Sequence, residues 1–202
     1  MKKKTEAKKQ AIIQAATEIF QELGFERTSM SKICAKVGGS KATIYNYFTS
    51  KEDLFFEIVT LSNEEKFQYV HEVLENINDD IETTLCEFGQ RLMSFLYSDE
   101  LINLRFLAIT ESRRSNLGKL AYENGAMRSQ GMMALYLENL MKEEKIKKEV
   151  PSIATRHLYS LLESEFIYEF LFQINSPATQ TQIKQRVKRA VVVFLSAYNI
   201  KG

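Results

Sequence analysis

TSMSKICAKVGGSKATIYNYFTSK, residues 28–51, reads as two short helices joined by a tight turn. Ile33 is the apolar residue of the first helix. Val37, Gly38, Gly39 and Ser40 form the break, where glycine tolerates the positive φ that a sharp reversal needs. Ser40 has the chemistry of an N-cap for the second helix. There Ile44 and Phe48 lie four apart and share an inward face, which leaves Lys41, Ala42, Tyr45 and Asn46 looking outward. An apolar back and a flat, cationic, hydroxylic front suit the second helix of a helix-turn-helix in the DNA major groove.

The surroundings supply what a two-helix unit lacks. From about Thr5 to Leu23, Ile12, Ala16, Ile19, Phe20 and Leu23 recur at helical spacing, with Gly24 as the expected stop. This scaffold helix gives Ile33, Ile44 and Phe48 a surface to pack on. Lys2, Lys3, Lys4, Lys8 and Lys9 open the chain, either as a solvated terminus or as an arm adding salt-dependent phosphate contacts. The 202 residues are 45% hydrophobic and 26% charged, with only two prolines and eight glycines and no strand-like alternation. The fold class expected is therefore all-α. Residues 1–51 hold ten Lys or Arg against four Asp or Glu, and the remainder holds 17 against 22. Only the first quarter is built to meet a polyanion.

Cys34 and Cys86 have no second cysteine or histidine at metal-ligand spacing, so both read as buried reduced thiols and no metal is expected. No apolar run reaches membrane-spanning length, and the expected location is cytoplasmic. His71 and His157 stand on separate helices, and Glu163 and Glu165 are two apart, so they do not share a helix face. No phosphate loop or nucleophile elbow is present, which argues against an enzyme.

AIIQAATEIFQELGFERTSMSKICAKVGGSKATIYNYFTSKEDLF resembles the N-terminal DNA-binding domain of the TetR family of bacterial transcriptional regulators. The Gly24-Phe25 turn, Thr28-Ser29-Met30, SKATIY and Tyr47-Phe48 before Ser50-Lys51-Glu52 fall in register. Gly39 departs from the usual valine, and Ala42 stands where glycine is commoner. The resemblance implies that Thr28 or Ser29, Thr43, Tyr45 and Lys51 hold the DNA backbone. Lys41, Ala42 and Asn46 would face base edges and Tyr47 either, with Ser40 at the head of the same helix. Lysine donates to guanine O6 or N7 and asparagine pairs with adenine, so chemistry and resemblance agree.

The division expected is a three-helix DNA-binding domain at 1–51 and a larger helical effector-binding and dimerisation domain at 52–202. Ser50 and Asp53 form a capping arrangement for a helix running to about Glu75, with Leu54, Ile58 and Leu61 inward. Ile81, Leu85, Phe88, Leu92, Phe95 and Leu96 mark the next helix. Leu101 to Ile109 is apolar nearly all round and reads as buried. Arg105 within it needs either a carboxylate partner or an anionic ligand.

LRFLAITESRRSNLGKLAYENG resembles the C-terminal regions of the AefR-like and AcrR-like branches, the latter pointing to efflux control. Met127, Met132, Met133, Leu135, Tyr136, Leu140 and Met141 decorate a helix from about Tyr122 to Lys145. Methionine serves a core and also a pocket that accepts several apolar shapes. The candidate effector lining is Phe67, Arg105, Phe106, Met132, Met133, Tyr136 and Phe166. Pro151 and Pro177 read as first-turn residues of helices over about Ser152 to Gln173 and Ala178 to Tyr198. The resemblance implies that these two helices pair with their copies in a homodimer, through Leu158, Leu162, Phe166, Phe170, Val187, Val191, Phe194 and Tyr198. The function expected is a ligand-responsive repressor of efflux or of its own gene, released from a pseudo-palindromic operator by a small hydrophobic effector and without a cofactor. The alternative is a DNA-binding regulator controlled by a protein partner or lacking an effector.

Overall fold

The structure is a computed structural model that describes residues 5–38, 40–75, 80–174 and 178–199. Among the described residues every regular element is helical, and one isolated β-bridge joins Ile146 to Asn199. Two compact units form, Met1–Glu64 with Glu111–Ala121, and Glu65–Thr110 with Tyr122–Gly202.

The first unit contains α1 (Glu6–Arg27), α2 (Met30–Val37), α3 (Lys41–Tyr45), the first two-thirds of α4 (Lys51–His71) and α7 (Leu117–Ala121). Its α1 is broken where the sequence places a stop, at Gly24, with φ 74° and ψ 171°. Gly38 closes α2 in the left-handed region, at φ 67°. Ile12, Ala16, Ile33, Ile44 and Leu54 are fully buried. Phe20, Phe25 and Phe55 pack as an aromatic cluster with centroids 4.9–6.0 Å apart. The Ser50 hydroxyl accepts from Asp53 N at 3.0 Å, capping α4 as its sequence implies. Leu61 departs from expectation. It is 50% exposed, because the inward stripe of α4 at this point passes through Leu54 and Ile58 to Asn63 and Phe67.

The second unit contains the end of α4, a 3-10 turn at Glu72–Glu75, α5 (Ile81–Leu96), most of α6 (Asp99–Glu111), a π-helical turn at Tyr122–Met127, α8 (Arg128–Lys142), α9 (Pro151–Glu163), α10 (Ile167–Leu171) and α11 (Gln180–Tyr198). Pro151 occupies the first turn of α9, and Thr179 with Gln182 forms a capping box for α11. Pro177 and Gly39 lie outside the described residues, as do Lys2, Lys3 and Lys4. Helix α11 packs on α5 and α9, and α8 packs on α9. Phe88, Leu137, Leu158, Val187, Val191 and Phe194 form the fully buried centre. Each such side chain contributes about 1.5–3 kcal/mol through burial.

Three further sequence expectations need correction. The helix expected over Ser152 to Gln173 is two helices, broken at Ser164–Phe166, where Arg186 and Arg189 of α11 bind the Glu165 carbonyl and carboxylate. The helix expected from Tyr122 begins as a π turn, and its Met127 and Leu135 are 50% and 63% exposed rather than part of the stripe. Helix α6 is not buried all round. Only Leu101 and Ala108 are buried, and Ile109 is 51% exposed.

At Gly89, α5 leaves no room for a side chain against its neighbours. A Cβ there would lie 2.7 Å from Val187 Cγ1 and 2.8 Å from Leu162 Cδ2. Gly89→Val is therefore expected to cost about 1–3 kcal/mol. Thermal unfolding should show a melting temperature lower by about 2–4 °C per kcal/mol. Gly131→Ala on α8, where a Cβ meets nothing within 4 Å, should leave it unchanged or raise it.

Candidate nucleic-acid interface

Helix α3 has only five residues, and its position is fixed from both ends and from behind. At its start the Ser40 hydroxyl accepts from Thr43 N at 3.2 Å and lies 2.9 Å from the Thr43 hydroxyl. At its end Tyr47 N and Phe48 N both donate to the Ile44 carbonyl, at 2.9 and 3.0 Å. Behind it Ile44 is fully buried and Phe48 is 5% exposed. In front, Ser40, Lys41, Ala42, Tyr45 and Asn46 are exposed. The outward face thus presents an ammonium, a small methyl, a phenol and a carboxamide from less than two turns of helix. Such a set can bind a phosphate and read base edges.

The remaining expected DNA residues are placed differently. Ser29 is exposed and caps α2, accepting from Lys32 N at 3.4 Å. Thr28 is turned inward, 3% exposed, and donates its hydroxyl to the Gly24 carbonyl at 2.7 Å. Its hydroxyl fastens the turn that Gly24 opens instead of facing outward. The half-buried Tyr47 accepts from Thr5 N at 3.0 Å, tying α3 to the start of α1. Lys51 donates to the Phe25 carbonyl at 2.9 Å and stands 4.0 Å above the Phe25 ring. Thr28, Tyr47 and Lys51 therefore spend these groups on bonds that hold the segments around α3 together. Sequence pattern alone marks them only as polar residues beside a motif, because each partner is a backbone group remote along the chain or hidden in a turn.

In the second unit the candidate effector residues fall into separate settings. Met133, Tyr136 and Phe166 are packed in the core, and Phe67 is buried beneath the Arg128 guanidinium at 4.1 Å. Met132 and Phe106 are half-buried. Arg105 meets a carboxylate: its Nη2 lies 2.6 Å from Glu163 Oε1, which also accepts from the Tyr97 hydroxyl at 3.1 Å. The guanidinium sits 4.5 Å from the Phe170 ring and 5.1 Å from that of Tyr97. Burial and the Glu163 charge push the Tyr97 phenol far up, so it remains a hydrogen-bond donor. An open groove of about 870 Å³ runs between α5 and α11, lined in part by Glu82, Cys86, Glu87, Lys184 and Lys188. None of the expected apolar lining belongs to it.

The expected dimer residues also need correction. Leu158, Leu162, Phe166, Phe170, Val187, Val191, Phe194 and Tyr198 are all at most 7% exposed within one protomer. They build the core of the unit. The apolar surface left outward on α10, the residues after it and α11 consists of Tyr168, Leu171, Phe172, Ile174, Val192 and Val193, each at least 46% exposed.

The AefR-like transcriptional repressor C-terminal domain matches residues 83–200, and the bacterial regulatory proteins of the tetR family match residues 12–58. The chain belongs to the TetR family. TetR-family proteins are DNA-binding transcriptional regulators and not enzymes, and the exposed α3 lies inside the matched N-terminal segment. Among solved structures, a TetR-family transcriptional regulator from Mesorhizobium loti MAFF303099 is 30% identical, with a TM-score of 0.79 over 98% of this chain and all of the other. The flavonoid-responsive regulator FrrA is 26% identical, with a TM-score of 0.74 over the same shares. The fatty acid metabolism regulator protein of Bacillus subtilis (strain 168) is 32% identical over 108 residues, which are 52% of this chain and 53% of that protein. The chain thus spans about half the length of that relative, or less for the others that follow it. No helix of the described residues is long and apolar enough to cross a membrane.

Lys51→Met removes the ammonium that holds the Phe25 carbonyl and keeps most of the stem. The variant is expected to lose about 1–2 kcal/mol of stability without DNA present. Calorimetry of the free protein reads this directly. An unchanged melting temperature combined with weaker DNA binding would return Lys51 to a phosphate-contacting role.

Proposed function

We propose that this chain is a homodimeric repressor that reads a pseudo-palindromic operator with one α3 from each copy and leaves it on binding a small, largely apolar effector. The observation that carries the reading is the outward set Ser40, Lys41, Ala42, Tyr45 and Asn46 on a helix whose back is locked by Ile44 and Phe48. Lys41, Ala42 and Asn46 are the base-edge candidates, and Tyr45 and Ser29 the phosphate candidates. Two such helices, one helical turn of DNA apart, match the symmetry of a palindrome.

Pairing of two copies is supported by the exposed apolar surface of Tyr168, Leu171, Phe172, Ile174, Val192 and Val193. Isolated apolar residues are ordinary on a surface, but a group on neighbouring segments favours a partner. The effector class is supported by the half-buried apolar side chains of α6 and by what two relatives are named for, a flavonoid and fatty acid metabolism. A flavonoid and a fatty acid each combine an apolar body with polar groups. Release needs little energy: a differential affinity of about 1.4 kcal/mol lowers operator occupancy about tenfold. The packed state of Met133, Tyr136 and Phe166 favours a second reading, control by a protein partner or no effector at all.

The direct test is a salt titration of the protein against DNA from immediately upstream of its own gene, beside a scrambled duplex, followed by flavonoids and long-chain acyl compounds. Specific, salt-sensitive binding that one compound class releases is the expected result. Specific binding that no compound disturbs supports the second reading. Lys41→Ala and Tyr45→Ala should each reduce specific binding at least tenfold with unchanged melting temperature. Phe172→Glu with Val193→Asp should yield monomers by light scattering; a dimer that survives both changes places the interface elsewhere.

A further inference from the structure

The chain passes between the two units three times: in α4 after Glu64, in α6 after Thr110, and after Ala121 on the way from α7 through the π turn into α8. Two of these segments are hydrogen-bonded to each other inside the second unit. His71, the last residue of α4, is 1% exposed, and its Nε2 lies 2.8 Å from the hydroxyl of Ser129, the second residue of α8. The Ser129 hydroxyl is 2.6 Å from the Tyr159 hydroxyl on α9, and His71 Nδ1 is 2.8 Å from the Phe67 carbonyl.

These contacts have one consistent proton arrangement for a neutral ring. A carbonyl only accepts, so Nδ1 carries the imidazole proton and Nε2 is an acceptor. Ser129 then donates to Nε2 and accepts from Tyr159. The chain runs Tyr159 to Ser129 to His71 to Phe67 with every buried group satisfied. The π turn at Tyr122–Met127 ends immediately before Arg128 and Ser129. Resetting that turn to α-helical geometry would rotate α8 by about one residue, roughly 100°, and carry Ser129 out of reach of His71.

We propose that the Tyr159, Ser129 and His71 chain is a latch that fixes the end of α4 to α8, and that a proton on His71 opens it and weakens DNA binding. The proposal rests on the reading of α3 as the operator-binding helix. A protonated ring offers a second N–H to Ser129, which must turn its own proton toward Tyr159. The Tyr159 proton then loses its acceptor in the chain. The surroundings oppose that state. Helix α8 places the Arg128 cation beside the ring, and α9 contributes the neutral Tyr159 with the Glu163 charge acting on it. Helix α5 contributes the Phe88 ring at 5.6 Å, and α4 the Phe67 ring stacked at 4.3 Å. Burial first and Arg128 second hold the imidazole below its ordinary 6.5, against the backbone hydrogen bond to Phe67. A depressed value means that the latched state is fully favoured above pH 6.5 and loses its advantage as pH falls below it, toward the lowered value.

The test uses the full chain and a duplex selected by it from a random pool. Fluorescence anisotropy at constant salt should show wild-type affinity falling between roughly pH 7.5 and 5.5, the range in which an imidazole freed from the latch takes up its proton. General protonation would strengthen binding to a polyanion, so the sign itself is diagnostic. His71→Gln should remove the fall. Long-range nitrogen-proton spectra of the free protein should give the Nδ1–H tautomer at His71, and Ser129→Ala should raise its titration midpoint. A wild-type pH profile equal to that of His71→Gln, an Nε2–H tautomer, or a midpoint unmoved by Ser129→Ala would overturn the latch. Failure to select any duplex would overturn the operator reading, while the spectra would still judge the hydrogen-bond chain.

Discussion

A five-residue helix has no stability of its own, so the exposed face of α3 depends on burying one side chain, Ile44, at its back. Helix nucleation is unfavourable and such short segments do not persist in water. Burial of Ile44 and Phe48 beside the Ile12, Ala16 and Ile33 core supplies the missing free energy. The Ser40 cap sets where the helix begins, and the Tyr47 bond to Thr5 fixes the segment after it. The Lys51 and Thr28 bonds secure the turn around Gly24 and Phe25. With the back locked, the front is free to be polar and exposed. A DNA-reading surface needs that rigidity, because base-edge hydrogen bonds reward only side chains held in register.

The second unit follows a different rule. Its centre is packed around Phe88, Leu158 and Phe194, yet it admits a buried imidazole and two hydroxyls, with a half-buried arginine-carboxylate pair at its edge. Apolar replacements of similar volume would often serve stability as well. The polar groups are tolerated because each has a partner, and they sit where helices from different parts of the chain meet. Arg105 joins α6 to α9, and His71 joins α4 to α8 and α9. Directional bonds at helix junctions distinguish one packing from another more sharply than apolar contacts do.

Helices α2 and α3 were legible in the sequence because the information that forms them is local. Glycine positions, the Ser40 cap and the four-residue spacing of Ile44 and Phe48 all act within one or two turns. The inward turn of Thr28 and the carbonyl held by Lys51 were not legible, since both depend on how the chain reverses at Gly24. For α9 and α11 the periodicity identified buried residues correctly but not what buries them. Val187 and Leu158 pack within one protomer, and the same 3.6-residue pattern would serve a dimer seam equally well. His71 looked like an isolated histidine because Ser129 is 58 residues away in sequence. The exposure of Ile109 on an apolar helix shows the limit of composition: a run that is apolar all round states a preference for burial, and the fold satisfies it only in part.

Entry of α3 into the major groove in two symmetry-related copies is what the proposed repressor requires. Methylation protection at guanine N7 on the selected duplex measures it most directly, because N7 lies in the major groove and is shielded only by a group placed there. Protection is expected in two patches about one helical turn apart, lost at the same guanines when Lys41 is replaced by alanine. Protection at a single patch, or a pattern that Lys41→Ala leaves intact, would contradict it.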